Sequence, residues 1–154
     1  NAVESLWDLG LVVVVSAGNY GPAPGSVTVP GSSPKVITVG VPDTFPLIHT
    51  QRHPLNYSGR VLQMTALSNL MFLPPAQEFK LQCFLLSISK RSALSFQNRN
   101  IHAAPVVSGA IACLLSKYPF LTNAEVKLKL HASCVQIPGT ESGWGILDFS
   151  RLLE

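Results

Sequence analysis

Charge is scarce in this sequence. Of its 154 residues only 12% are Asp, Glu, Lys or Arg, against 47% that are apolar, whereas about 25% charged residues is usual for a globular domain. The shortfall implies surface that something else covers, so the chain reads as a piece of a larger body with enough apolar content for one core. A net charge of +3 from scattered basic residues supplies no basic stripe, and nucleic acid is excluded as an expected partner. Cysteine is equally sparse. Cys83, Cys113 and Cys134 are odd in number and show no C-x-x-C spacing, so neither a zinc site nor a disulfide framework is expected and the thiols read as buried spectators. No apolar run is long enough to cross a bilayer, which removes a membrane partner from the expectations. No charged n-region and apolar h-region open the sequence, so no signal peptide is visible, and the compartment, cytoplasmic or secreted, is left open.

What is present is an alternation of helix and strand signals. Ala2 to Leu9 carries apolar residues at helical spacing, Gly10 fits the stop, and Leu11 to Val15 is a β-branched apolar run that reads as a buried parallel strand. The strand runs into Ser16-Ala-Gly-Asn-Tyr-Gly21 and a Pro/Gly-rich loop from Pro22 to Pro34, and Lys35 to Gly40 reads as a second strand. From Ala103 to Ser116 small and apolar residues continue without a charge. With Pro105 placed in a first turn, where proline is tolerated, this run predicts a buried helix. Thr122 and Glu125 have the spacing of a capping box, predicting a helix from there to near Ala132, and Asp148 caps a last short helix over Phe149 to Leu153. The predicted class is α/β.

In doubly wound sheets ligands gather beyond the carboxyl ends of strands, which places Asn19 where chemistry can occur. Taken alone, an Asn between two glycines is more often a turn residue. The surrounding text changes that reading. Val12-Val-Val-Val-Ser-Ala-Gly-Asn-Tyr-Gly21, Thr28-Val-Pro-Gly-Ser32, Lys35-Val-Ile-Thr-Val-Gly40 and Asn56-Tyr-Ser-Gly-Arg60 resemble, in order, the oxyanion segment and following landmarks of subtilisin-like serine peptidases. Ala103-Ala-Pro-Val-Val-Ser-Gly-Ala110 resembles the segment after that family's nucleophile, and Gly143-Trp-Gly-Ile-Leu-Asp148 its closing turn. The resemblance covers residues 1 to about 60 and 103 to 154. It implies the C-terminal half of a catalytic domain, with a partial doubly wound parallel sheet in a three-layer α/β/α arrangement.

By the resemblance, Asn19 would donate its side-chain amide to the oxyanion of a tetrahedral intermediate. The family's Gly-Thr-Ser-Met falls on Arg99, Asn100, Ile101 and His102, so Ile101 stands at the nucleophile's place. A hydrocarbon side chain cannot attack a carbonyl. The family's Asp and His segments precede the oxyanion strand and are not found in residues 1–154. Nothing local replaces them. His49, His53, His102 and His131 have no Asp at a recognisable spacing, His131 reads as a helix-dipole contact, Asp8 and Asp148 as helix residue and cap, Ser108 as packing, and Ser16 lacks a base.

Residues 61–102 match neither end and show no periodicity of their own. Reading across codon boundaries changes this. Met71 followed by Phe72 then forces a valine, Met64 followed by Thr65 forces an aspartate, and the run from Ser68 through Ala76 can spell the family's Lys-Pro-Asp-Val-x-Ala-Pro-Gly. With the other offset, Phe96 through His102 can spell Ser-Lys-Thr-Gly-Thr-Ser-Met. The expectation is that 61–102 is an out-of-frame segment. Two functions follow: a fragment of a serine endopeptidase, inactive as it stands, or a non-catalytic relative serving as a binding or scaffold module. The first implies a polypeptide substrate in the intact parent and the N-terminal half of the domain as a partner, with no cofactor and no metal.

Overall fold

The computed structural model describes residues 2–41, 58–59, 70–72, 99–136 and 143–154, of which 70–72 and 99–102 are described through their backbone. The first helix, α1, spans Ala2–Asp8. It ends as the sequence requires: Gly10 takes φ +89°, its N–H donates to Trp7 O at 2.9 Å, and Leu11 N–H donates to Leu6 O at 3.1 Å. These paired bonds satisfy the last carbonyls of the helix, and the left-handed backbone they need suits glycine.

Strand β1 spans Val14–Ser16 and β2 spans Ile37–Gly40, each shorter than its apolar run. They pair in parallel with Val14 opposite Ile37. A third strand, β3, spans Leu70–Phe72 and pairs in parallel with β2. Within the stretch 61–102, which shows no periodicity, residues 70–72 thus form a strand through backbone pairing that side-chain pattern does not announce. Residues 61–69 and 73–98 lie outside the described residues.

The long helix α2 spans Arg99–Lys117. It begins four residues before Ala103, so Pro105 lies in its second turn and not its first. Lacking an N–H, Pro105 leaves the carbonyl of Ile101 without its i→i+4 donor. The buried-helix expectation is also corrected. Ala103, Val107, Ala110, Ile111 and Leu114 are buried, one face at helical spacing, while Ser108, Gly109, Ala112, Cys113 and Ser116 are exposed. Small uncharged side chains permit burial without compelling it.

Helix α3 spans Asn123–Ala132 with Thr122 as N-cap, and the capping box is complete. Glu125 N–H donates to Thr122 Oγ1 at 3.3 Å and Thr122 N–H donates to Glu125 Oε2 at 2.7 Å. Strand β4, Cys134–Val135, runs antiparallel to β5, Gly145–Leu147. Helix α4, Phe149–Leu153, starts at Asp148, whose carboxylate accepts from the N–H groups of Ser150 and Arg151. The sheet order is β1-β2-β3-β5-β4, with β3 and β5 parallel, so β4 is the one described strand that departs from the parallel expectation.

All four helices feed one core. Ile37 and Val39 of β2 meet Val107, Ile111 and Leu114 of α2, Val126 and Leu130 of α3, Leu147 of β5 and Leu152 of α4, with Trp7 of α1 packed against them. The intervening residue Thr38 turns the other way, and its hydroxyl donates to Gly31 O at 2.7 Å. That alternation is the two-residue period of a strand.

A clasp the sequence did not announce ties the ends of the chain together. Lys127 Nζ donates to the carbonyls of Pro34 at 2.5 Å, Lys35 at 3.3 Å and Val36 at 3.2 Å. It lies 5.4 Å from the ring centroid of Trp7 and 6.0 Å from that of Trp144. The Lys35 ammonium is itself held by Asp8 at 2.7 Å. Three carbonyls and two indole faces favour the ammonium, but burial outweighs them and pushes Lys127 down to about 8. The folded chain then binds fewer protons here than the unfolded chain from about pH 8 up to the ordinary lysine value near ~10.4. Unfolding free energy is expected to rise with pH across that window, by an amount reduced by solvent screening. Urea titrations at successive pH values check this: the rise is lost in Lys127→Met, and a wild-type curve that falls through the same window contradicts it.

Candidate functional site

Beyond the carboxyl end of β1 the chain passes through Ala17, Gly18 and Asn19. Ala17 is wholly buried, and its N–H donates to Val39 O at 2.9 Å. Gly18 has φ +86°, and a Cβ there would stand 2.4 Å from Thr28 Oγ1. Only a residue without a side chain fits that combination. Two further bonds hold the turn: Thr28 N–H donates to Ala17 O at 3.3 Å, and Gly59 N–H donates to Gly18 O at 3.0 Å. Gly59 is hemmed in by backbone, since a Cβ on it would lie 2.4 Å from Ala17 O. Its neighbour Ser58 is buried and accepts from Val41 N–H at 3.2 Å. Asn19 therefore projects, exposed, from a turn fixed on both sides.

Ile101 is the third residue of α2, and that helix packs on β1 and β2. The strand that leads into the Asn19 turn is thus one of the two on which the long helix packs. Helix N–H groups unpaired in a first turn favour negative charge, which is the electrostatic setting an acyl-transfer site uses. The side chains of Ile101 and His102, and all of His49 and His53, lie outside the described residues.

The other residues weighed in the sequence fall into structural roles. Asp8 pairs with Lys35, and Asp148 caps α4 as expected. His131, in the last turn of α3, packs edge-on against Trp144 with ring centroids 5.0 Å apart. Ser108 is exposed and not packed, its hydroxyl donating to Ala104 O at 3.0 Å. Cys113 is exposed, against the expectation of burial, and Cys134 is half-buried, with burial pushing its thiol up to about 12. Cys83 lies outside the described residues. Among the described residues no group of three or more His, Cys, Asp or Glu side chains could hold a metal ion. What the sequence missed is the part played by Thr28 and Gly59 in fixing the turn, for which the only signal was the motif order that placed them nearby.

The family model of the Subtilase family matches residues 2–145. This chain belongs to the subtilases. Among curated subtilases it is 30% identical over 135 residues to the serine protease AprX of Bacillus subtilis (strain 168), an alignment that takes in 82% of this chain and 30% of AprX. Solved structures share the fold. Tripeptidyl peptidase 2 superposes with a TM-score of 0.67 at 21% identity, over 98% of this chain and 12% of that one. Sphericase gives 0.65 at 23% identity over 95% and 50%, and the protease domain of PatA gives 0.64 at 21% identity over 99% and 50%. The α/β fold read from the sequence is thus that of a subtilase. The chain spans less than a third of AprX and about half of sphericase and of the PatA domain.

Proposed function

We propose that this chain is part of a subtilisin-like serine endopeptidase, the portion that carries the oxyanion turn, and that by itself it hydrolyses no peptide bond. The observation behind this reading is the fixed turn that presents Asn19 at the carboxyl end of β1, the strand on which the long helix with Ile101 in its first turn packs. In the intact parent Asn19 would hold the oxyanion as an acyl-enzyme forms and breaks. Loss of such a donor costs roughly a hundred- to a thousandfold in turnover, a magnitude measured on a subtilisin and not on this chain. Acyl transfer also needs a hydroxyl, a histidine to take its proton and an aspartate to orient the histidine. Residues 1–154 contain neither an Asp-Thr-Gly nor a His-Gly-Thr segment, and isoleucine stands at 101.

A polypeptide is the substrate class of the parent, and the remainder of its catalytic domain is the partner of this part. The segment 61–102 is read as out of frame, with serine in the parent where this chain has Ile101. Sequencing the coding DNA tests that: codons at Met71-Phe72 or from Phe96 to His102 that cannot yield the family's peptides favour instead a non-catalytic relative with a genuine Ile101. Activity is tested on the full chain with an unfolded protein substrate. No hydrolysis above buffer is expected. Turnover that a serine-directed inhibitor abolishes would overturn the reading.

A further inference from the structure

Three successive carbonyls just before β2 converge on one atom. Those of Pro34, Lys35 and Val36 lie 2.5, 3.3 and 3.2 Å from Lys127 Nζ, and an ammonium has three N–H donors to offer them. Pairing with β1 starts at Ile37 and pairing with β3 at Thr38, so the three carbonyls stand outside the ladder. The indole rings of Trp7 and Trp144 flank the same nitrogen, with centroids at 5.4 and 6.0 Å. Carbonyl oxygens and aromatic faces gathered around one point suit an organic ammonium ion.

The walls of this seat are held by contacts in which Lys127 has no part. Ser33 Oγ donates to Glu4 Oε1 at 2.8 Å, Ser33 N–H donates to Pro30 O at 3.1 Å, and the Lys35 ammonium is paired with Asp8. On the indole side, Asn123 Nδ2 donates to Trp7 O at 2.7 Å and Gln136 Nε2 donates to Trp144 O at 3.2 Å. The Trp144 ring also has the His131 ring edge-on against it. Removing the lysine head group therefore leaves its acceptors in place, and a pre-organised receptor binds at a reduced ordering cost.

We propose that the carbonyls of residues 34–36 and the rings of Trp7 and Trp144 form a receptor for a primary ammonium, which Lys127 fills from within the chain and a free alkylammonium fills when that side chain is cut back. Lys127 is thus the tethered ligand of a binding site. The tether keeps its head group at high effective concentration, so the native receptor is occupied and free amine adds nothing. Directed N–H groups set the class of ligand. A quaternary ammonium has the charge and the attraction to an indole face, but no donor for the carbonyls, and leaves all of them unmet. No residue of the Asn19 turn contributes to the receptor, so the proposal stands or falls separately from the peptidase reading.

The test is chemical rescue of Lys127→Ala in the full chain, near neutral pH, with n-propylammonium, which replaces the atoms the substitution removes. The variant should unfold at lower urea than the parent. Propylammonium at about ten times its dissociation constant should raise the folded-to-unfolded ratio about elevenfold. Emission from the two tryptophans, both beside the seat, should change along the same saturable curve. The parent chain should change little, and Lys127→Met, whose apolar stem still occupies the seat, should not respond. Tetramethylammonium chloride and sodium chloride at equal ionic strength should give no rescue. Should Lys127→Ala be unfolded in buffer, the titration is read as amine-driven folding by circular dichroism, against the same two salts. Three results would overturn the proposal: no saturable response to propylammonium, equal rescue by either salt, or an equal response in Lys127→Met.

Discussion

Gly145→Ala is expected to lower folding stability by about 2–6 kcal/mol, the sum of roughly 1–3 for forcing a side chain onto left-handed backbone and roughly 1–3 for overpacking. Both causes act at one atom. Gly145 has φ +101°, and a Cβ there would stand 2.2 Å from Val135 O and 2.7 Å from the carbonyl carbon of the same residue. Those are backbone atoms of β4, the antiparallel partner of β5, so no rotamer change can make room. The strand must move, and with it Leu147, which is almost wholly buried in the core. Against a total of about 5–15 kcal/mol for an ordinary domain, the larger figures would leave little folded protein. The control is Gly109→Ala, in α2, where a Cβ meets nothing within 4 Å. There the helix preference for alanine should add about 1 kcal/mol. Urea midpoints of the two variants moving in opposite directions check the account, and equal shifts would refute it.

The second large effect is expected from Leu130→Ala, at about 2–5 kcal/mol, with Leu128→Ala within about 0.5 kcal/mol of the parent. The two leucines are two residues apart in α3, but Leu130 is wholly buried and Leu128 is 67% exposed. Leu130 sits in the cluster with Leu114, Leu147 and Leu152, so truncating it leaves a cavity that three other elements line. Truncating Leu128 removes a side chain that already faces water. The contrast separates burial from helix propensity, which is the same change in both variants. Denaturant midpoints measure it, and comparable losses at the two positions would mean that the helix is seated differently.

What the sequence disclosed is what short-range chemistry decides. The Schellman-type end at Gly10, the Thr122–Glu125 box and the Asp148 cap each involve residues within five of one another, so their side-chain types and spacing suffice. Asn19 was legible through motif order, and the structure sets it on a turn at the strand end. What escaped depends on distant partners. The extents of β1 and β2 are fixed by where their neighbours pair, and β3 emerges from text without periodicity because its neighbours on both sides template it. The exposed side of α2 was read as buried because alanine, glycine and serine are at home in either setting. Pro105 was placed one turn too early because the residues before it, Arg99 to His102, do not themselves signal a helix start. The clasp at Lys127 has no short-range signal, since nothing in its own helix foretells carbonyls contributed by residues 34–36.

That lysine gives the molecule a built-in optical gauge. The chain has two tryptophans, and both flank the same amine, one from the first helix and one from the approach to β5. Nearly all of its ultraviolet emission therefore originates at one spot where the beginning and the end of the polypeptide meet. Any event that parts those two regions should register first as a change in colour, before the rest of the body has come undone.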